Sequence, residues 1–197
     1  MSDEELPEEV AGLPVISFAT VPDCEAWFAE HHADQRGIWL KIGKVGSAKT
    51  VTYTEALDIA LCYGWIDGQK RGYDQTSWLQ RFTPRGPRSK WSQINRDKAE
   101  ALIRADRMQP AGQAQIDAAK ADGRWEAAYA GQKSATVPED LAAALAADPE
   151  AKAFFDTLKG ANRYAILYRI QDAKKPETRA ARIAKFVEMC RRHETIH

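Results

Sequence analysis

Between Tyr53 and Asn95 the chain places acids, guanidinium groups, indoles and amides closer together than anywhere else. Glu55 and Asp58 stand one helical turn apart, with Cys62 on the same stripe a turn further on. In a cleft such carboxylates serve as general acid and base or as metal ligands; at a helix start they serve as a cap and a partner for arginine. Trp65, Asp67 and Gln69 alternate along a predicted strand and share a face, as do Leu79, Arg81 and Thr83 on the next. Pro84 and Pro87 bracket Arg85-Gly86, which predicts a stiff loop that offers the Arg85 guanidinium to solvent. A helix starting at Ser89 or Ser92 beside Arg81, Arg85, Arg88 and Lys90 would seat a carboxylate or phosphate. The expected ligand-binding set is Glu55, Asp58, Trp65, Asp67, Arg81, Arg85, Trp91 and Asn95. In it Arg81 and Arg85 hold an anion and Trp65 and Trp91 form apolar walls. Pairing of Arg81 with Asp67, with Trp91 as packing, stands equally beside that reading, because strand register is not written in the sequence.

Other residues invite chemistry and support it less. Gly43-Lys-Val-Gly-Ser-Ala48-Lys49-Thr50 falls one residue short of a phosphate-binding loop, since Ala48 stands where the second glycine belongs. The β-favouring Val51-Thr52-Tyr53 follows, where such a loop requires a helix from the lysine. A basic connection between strand and helix is the better reading. Cys62 has no histidine near it in sequence, and a buried inert thiol is expected although His193 is free to approach in space. His31 and His32 are adjacent, point about 100° apart on a helix, and make no metal pair. Arg179 and Arg182 lie one turn apart and suit an interhelix salt bridge or an anion site. No catalytic residue, metal site or cofactor is assigned.

The elements that must position these residues are readable in order. Residues 1–14 read as a disordered acidic tail, Val15–Phe18 as an edge strand, and Asp23 as the cap of a helix through about His32. A strand over Gly37–Ile42 leads to the glycine loop. Thr52 and Glu55 form a capping box for a helix that Gly64 ends. Trp65–Arg71 and Ser77–Thr83 form a hairpin. From Ala99 onward the chain is helical. Pro110-Ala-Gly112 separates two helices, Thr136 with Glu139 caps another, and Asp148-Pro149 opens a further one. The last begins at Pro176, with Ile183, Phe186, Val187 and Cys190 on its buried face. The fold expected is α+β: a small antiparallel sheet of three or four strands packed with helices, then a helical C-terminal module. The domain boundaries are a tail over 1–14, an α+β core over 15–130 and the module over 131–197.

Composition bounds the function classes. The chain has 197 residues, 44% hydrophobic and 28% charged, with 28 bases balancing 28 acids. That is the make-up of a soluble globular protein, and no run is long enough to cross a bilayer. Charge is segregated: residues 69–104 hold nine bases and three acids, and residues 163–192 the same numbers, while residues 1–14 hold five acids and no base. Two basic blocks in a neutral chain attract an anion locally, and they do not encourage general nucleic-acid binding. The acidic start lacks a secretory signal, and three dispersed cysteines fit reduced thiols, so a cytoplasmic location is expected.

The run Glu-Ala-Leu-Asp-Ile-Ala-Leu-Cys-Tyr-Gly-Trp-Ile-Asp-Gly (residues 55–68), followed by Arg-Phe-Thr-Pro-Arg (81–85) and Trp-Ser-Gln-Ile-Asn (91–95), resembles the YdeI/OmpD-associated, OmdA-like family of bacteria. Ala-Lys-Lys-Pro-Glu-Thr-Arg-x-x-Arg-Ile (residues 173–183) resembles its C-terminal region, so the likeness spans Trp39 to Arg191. The resemblance implies a non-enzymatic stress-response protein linked to protection against bacteriocins or cationic antimicrobial peptides. Its name suggests periplasmic association with a porin, and the missing signal argues against that location. Three function classes follow. The first is a binding protein for a small anion or peptide, without membrane insertion. The second is an enzyme acting on a small anionic substrate through Glu55, Asp58 and Cys62, against which stands the lack of a triad or metal cluster. The third and weakest is a nucleic-acid module. Ligand identity and oligomeric state are not legible.

Overall fold

The computed structural model describes residues 9–33 and 35–197, arranged as two compact units. The first comprises the chain up to Lys90 together with Asn95–Glu126; the second comprises Trp91–Ile94 and Ala127–His197. The fold is α+β, with the C-terminal region helical.

The first unit is built on a mixed sheet of five strands in the order β1-β2-β3-β5-β4, rather than an antiparallel one of three or four. The strands are β1 (Glu9–Val10), β2 (Leu13–Ile16), β3 (Ile38–Gly43), β4 (Trp65–Gly72) and β5 (Ser77–Pro84). The extra strand comes from the segment read as an acidic tail. Val10 pairs with Leu13 across Ala11-Gly12, which take φ of 52° and 73°. Positive φ at both central residues is the two-residue hairpin geometry that matches strand twist. Residues 1–8 of that tail lie outside the described residues. β2 is not an edge strand: β1 covers one side, and on the other it runs parallel to β3. A parallel neighbour needs a crossover, which helix α1 (Val21–His31) supplies.

Helix α1 is capped by Thr20, whose hydroxyl accepts from the Asp23 amide, so Asp23 sits in the first turn instead of at the cap. The Nδ1 atoms of His31 and His32 each reach a carbonyl one turn back, Trp27 O and Phe28 O, at 2.9 Å. The two histidines therefore close the helix C-terminus. Helix α2 (Tyr53–Cys62) carries the expected capping box at Thr52 and Glu55. It buries Ala56, Leu57, Ile59, Ala60, Leu61 and Cys62, and the three large aliphatic residues each contribute about 1.5–3 kcal/mol. Helices α3 (Gln93–Arg104) and α4 (Pro110–Ala121) follow. Pro110 opens α4, and Gly112 lies inside it, not between helices. A Cβ on Gly112 would stand 2.2 Å from Cys62 O, so its role is close approach to the end of α2.

The second unit packs helices α5 (Glu139–Ala146), α6 (Pro149–Thr157), α7 (Gly160–Gln171) and α8 (Pro176–Arg191) around Leu141, Leu145, Phe155, Ile166, Ile170 and Phe186. Asp148 caps α6 as expected. Thr136 does not cap α5, because the helix starts at Glu139 after Pro138 and Glu139 therefore occupies the first position. Ile183, Phe186 and Cys190 are buried along α8, with Val187 partly so. At the end of α7, Arg179 Nη1 donates to Ile170 O at 3.0 Å and Arg182 to Arg169 O. Arg179 also grips Asp140 through Nε and Nη2, at 2.5 and 2.9 Å. The arginine pair thus ties helices together, as the salt-bridge reading expects.

Candidate functional site

A β-bulge decides what the sheet can offer. β4 and β5 pair with Trp65 opposite Pro84 and Asp67 opposite Phe82, and the register then slips between Asp67 and Lys70. Gly68 and Gln69 occupy the slip, and the Gln80 amide donates to both of their carbonyls, at 3.0 and 3.3 Å. Beyond it Lys70 faces Gln80, Arg71 faces Leu79 and Gly72 faces Trp78. Side chains alternate along a strand, so Trp65, Asp67, Lys70, Trp78, Gln80 and Phe82 share one face. Arg71, Leu79, Arg81 and Thr83 share the other. Gln69 does not continue the Trp65–Asp67 face; it belongs to the bulge.

The residues expected at a ligand site disperse accordingly. Asp67 accepts the Tyr53 hydroxyl at 2.8 Å and lies on the face opposite Arg81, so the two do not pair. Burial and the Asp67 carboxylate raise the Tyr53 phenol well above its ordinary value. Arg81 is half-buried, and its Nε has no hydrogen-bond partner. Trp65 is 1% exposed, packs edge-on against Trp27 and Phe28, and donates to His32 O at 3.1 Å. It is a core residue, not a pocket wall. Arg85 is 5% exposed, and its Nη1 donates to Lys90 O at 3.2 Å, so its guanidinium is buried rather than offered. The loop folds inward because Ser89 and Gly86 bond each other and Arg124, held by Asp122, donates to Ser89 O at 2.9 Å. Nothing in the sequence marked Arg124 for that role. Asn95 and Trp91 are buried as well.

The carboxylates and thiol proposed for catalysis are engaged. Glu55 Oε2 accepts from the Thr52 amide and hydroxyl, at 2.8 and 2.7 Å, and these bonds lower its pKa below the usual carboxylate range. Asp58 pairs with Lys98 at 2.6 Å. Cys62 is 3% exposed, and burial pushes its thiol up to about 11. A thiol so rarely ionised at neutral pH is a poor nucleophile. Among the described residues no group of three or more histidine, cysteine, aspartate or glutamate side chains is placed to hold a metal.

What the first unit does present is a basic groove of about 590 Å³ at the far end of the sheet. Gly43, Lys44 and Val45 of the glycine loop, Lys70, Arg71 and Gly72 at the end of β4, and Trp78 line it. Local bonds build it. The Lys44 amide donates to Thr76 O, and its ammonium reaches Asp74 O and Gln75 O at 2.8 and 3.1 Å, fastening the loop to the β4–β5 turn. Asp74 holds that turn, accepting from the Thr76 and Ser77 amides at 2.7 and 2.6 Å and from the Ser77 hydroxyl at 2.6 Å. These bonds hold its pKa far below the ordinary carboxylate value, the Ser77 hydroxyl contributing most. Lys70 Nζ stands 4.1 Å over the half-buried Trp78 ring. Arg71 makes no side-chain hydrogen bond or ion pair among the described residues. The near-phosphate-loop sequence thus lines a cationic surface, although Thr50 Oγ1 accepts from the Gly43 amide and α2 starts at Tyr53 instead of Lys49.

A mixed sheet with this bulge and groove, followed by a helical unit, defines an α+β protein with two distinct family segments. Residues 16–115 match the model of a domain of unknown function (DUF8412), and the chain belongs to that family. Residues 134–193, in the C-terminal part, match the model described as bacteriocin-protection, YdeI or OmpD-associated. The Tyr53–Asn95 motifs fall within the first segment, and the likeness expected from Trp39 to Arg191 is shown over the second. No curated protein and no solved structure matches the chain. No helix among the described residues is long and apolar enough to cross a membrane.

Proposed function

We propose that the chain is a non-enzymatic binding protein whose first unit takes a small anion in the groove of Lys44, Lys70, Arg71 and Trp78. The observation that carries this reading is the pairing state of the cations. Lys70 is held by an aromatic ring and Arg71 by no acidic side chain, within a concave surface sized for a small molecule. Cations on an edge strand also discourage edge-to-edge pairing, but that role needs neither a groove nor an indole beside it. A groove of this charge repels a cationic peptide. Bacteriocin protection, which the OmdA description names, would on this reading act through an anionic ligand and not through capture of the peptide.

Arg81 supports a second seat, because a half-buried guanidinium with an unsatisfied Nε is stabilised by an incoming anion. A thermal-shift series with tripolyphosphate separates the two. Ligand at about 100 times its dissociation constant adds roughly 2.7 kcal/mol, or roughly 5–10 °C for a chain of this size. Loss of the shift in Lys70→Ala/Arg71→Ala supports the groove, and loss in Arg81→Ala alone transfers the site to the other face. No shift in the unmodified protein refutes anion binding.

A further inference from the structure

We infer that the groove's ligand carries a flat aromatic ring beside its phosphate: it is a mononucleotide, stacked on Trp78. The inference rests on the anion-binding reading and deepens it.

Three observations carry it. First, the indole lines the groove half-buried, opposite Gly72, which carries no side chain; Tyr53 stands tilted beside it with 6.2 Å between ring centroids. Second, the ring is already used as a platform for a cation. Lys70 Nζ sits 4.1 Å from its centroid. At a solvent-facing site such a contact favours the bound state by only about 2- to 5-fold. Stacking of a base on an aromatic side chain favours binding by about 5- to 150-fold, so a base displaces the ammonium. The freed Lys70, on the same face as Trp78, then meets the phosphate chain, and Arg71 also lines the groove. Ring and phosphate are recognised by adjacent groups, and neither fragment alone uses both.

Third, the size and charge of the groove suit one nucleotide rather than a strand. Its volume of about 590 Å³ lies within the range of small-molecule sites. Three cationic side chains line it, in a chain of zero net charge, whereas a polyanion track requires an extended basic path. The mode is binding without phosphate-loop hydrolysis. Ala48 stands in place of the second glycine, and Thr50, the residue that would meet a metal, is bonded to the Gly43 amide and Val51 O.

Calorimetry of the full chain with ATP, tripolyphosphate and adenosine tests this. ATP is expected to bind at least about 5-fold more tightly than tripolyphosphate, the lower bound of the stacking gain. Trp78→Ala should bring ATP and tripolyphosphate to equal affinity. If that variant misfolds, Trp78→Leu supplies the same test, because it keeps an apolar side chain and removes the flat ring. Equal affinities for ATP and tripolyphosphate in the unmodified protein overturn the ring and leave the anion reading standing. Binding of neither overturns both. Tighter binding of a twelve-residue oligothymidylate than of ATP, with a steep salt dependence, overturns the mononucleotide in favour of a strand.

Discussion

Replacing Gly112 by alanine pits two effects of known size against each other. In a helix interior the exchange by itself favours folding by about 1 kcal/mol, because alanine loses less backbone freedom. Against it stands the contact with α2. A Cβ at Gly112 would lie 2.2 Å from Cys62 O, 2.7 Å from Leu61 O and 2.6 Å from Met108 Sδ. Carbon contacts are comfortable at about 3.5 Å, so α4 must retreat from α2 by more than about 1 Å. Two of the three atoms are main-chain oxygens that cannot rotate aside. The retreat also stretches the Gln109 amide bond to Cys62 O, now 3.2 Å. Overpacking of this kind costs typically 1–3 kcal/mol, and with rigid obstacles the upper end or beyond applies. The clash therefore outweighs the propensity gain, and Gly112→Ala should destabilise by about 1–3 kcal/mol. Thermal unfolding followed by circular dichroism should show a fall of roughly 3–10 °C, with urea titration giving the matching midpoint shift. An unchanged or raised melting temperature would refute the close approach of α4 to the end of α2.

Three further outcomes are expected. Asp74→Ala should cost about 1–3 kcal/mol at neutral pH, because the Thr76 and Ser77 donors lose a charged acceptor. The Asp74 pKa is depressed on folding, so its contribution is complete above the ordinary carboxylate value near 4 and fades as pH falls below it. The stability gap between variant and parent should shrink in acid; a gap independent of pH would contradict the assignment. Arg179→Lys should lose the forked grip on Asp140 and cost about 1 kcal/mol by urea titration, while a variant equal to the parent would show the pair to be idle. Cys24, Cys62 and Cys190 are all buried, with burial raising the Cys24 thiol to about 12, so Ellman's reagent should titrate none of them until the protein is denatured. Prompt native labelling at Cys62 would reopen nucleophilic chemistry.

Features written in short side-chain signatures were legible. The Thr52–Glu55 box, the Asp148 cap, the β4–β5 hairpin and the buried stripe of α8 each depend on residues within one or two turns of each other. Signatures misled where two residues carry the same chemistry. Thr20 and Asp23 are both oxygen-bearing caps, and Thr20 prevails; Thr136 and Glu139 have the spacing of a box, but Pro138 takes the cap position and the helix starts at the glutamate itself. The Val10–Leu13 hairpin was hidden by the acids around it, since composition does not reveal a two-residue turn. The site was less legible than the fold, for a geometric reason. A bulge over Gly68 and Gln69 fixes which side chains share a face, and no residue type announces it. Trp65 and Arg85 looked available because indole and guanidinium serve ligands and cores alike; only burial against Phe28 and a bond to Lys90 O separate the uses. The glycine loop departs from a phosphate loop at Ala48, a local signature, whereas its position beside Lys70 and Trp78 depends on pairings some thirty residues away.

The most direct test of the central claim is the affinity of tripolyphosphate for the intact chain and for Lys70→Ala/Arg71→Ala, measured by calorimetry at two salt concentrations. The account predicts one site, weakened by added salt and weakened at least about tenfold in the double variant, since each lost charge-assisted bond contributes about 1.5 kcal/mol or more. Affinity unchanged in a folded double variant, or no binding to the parent, would contradict it.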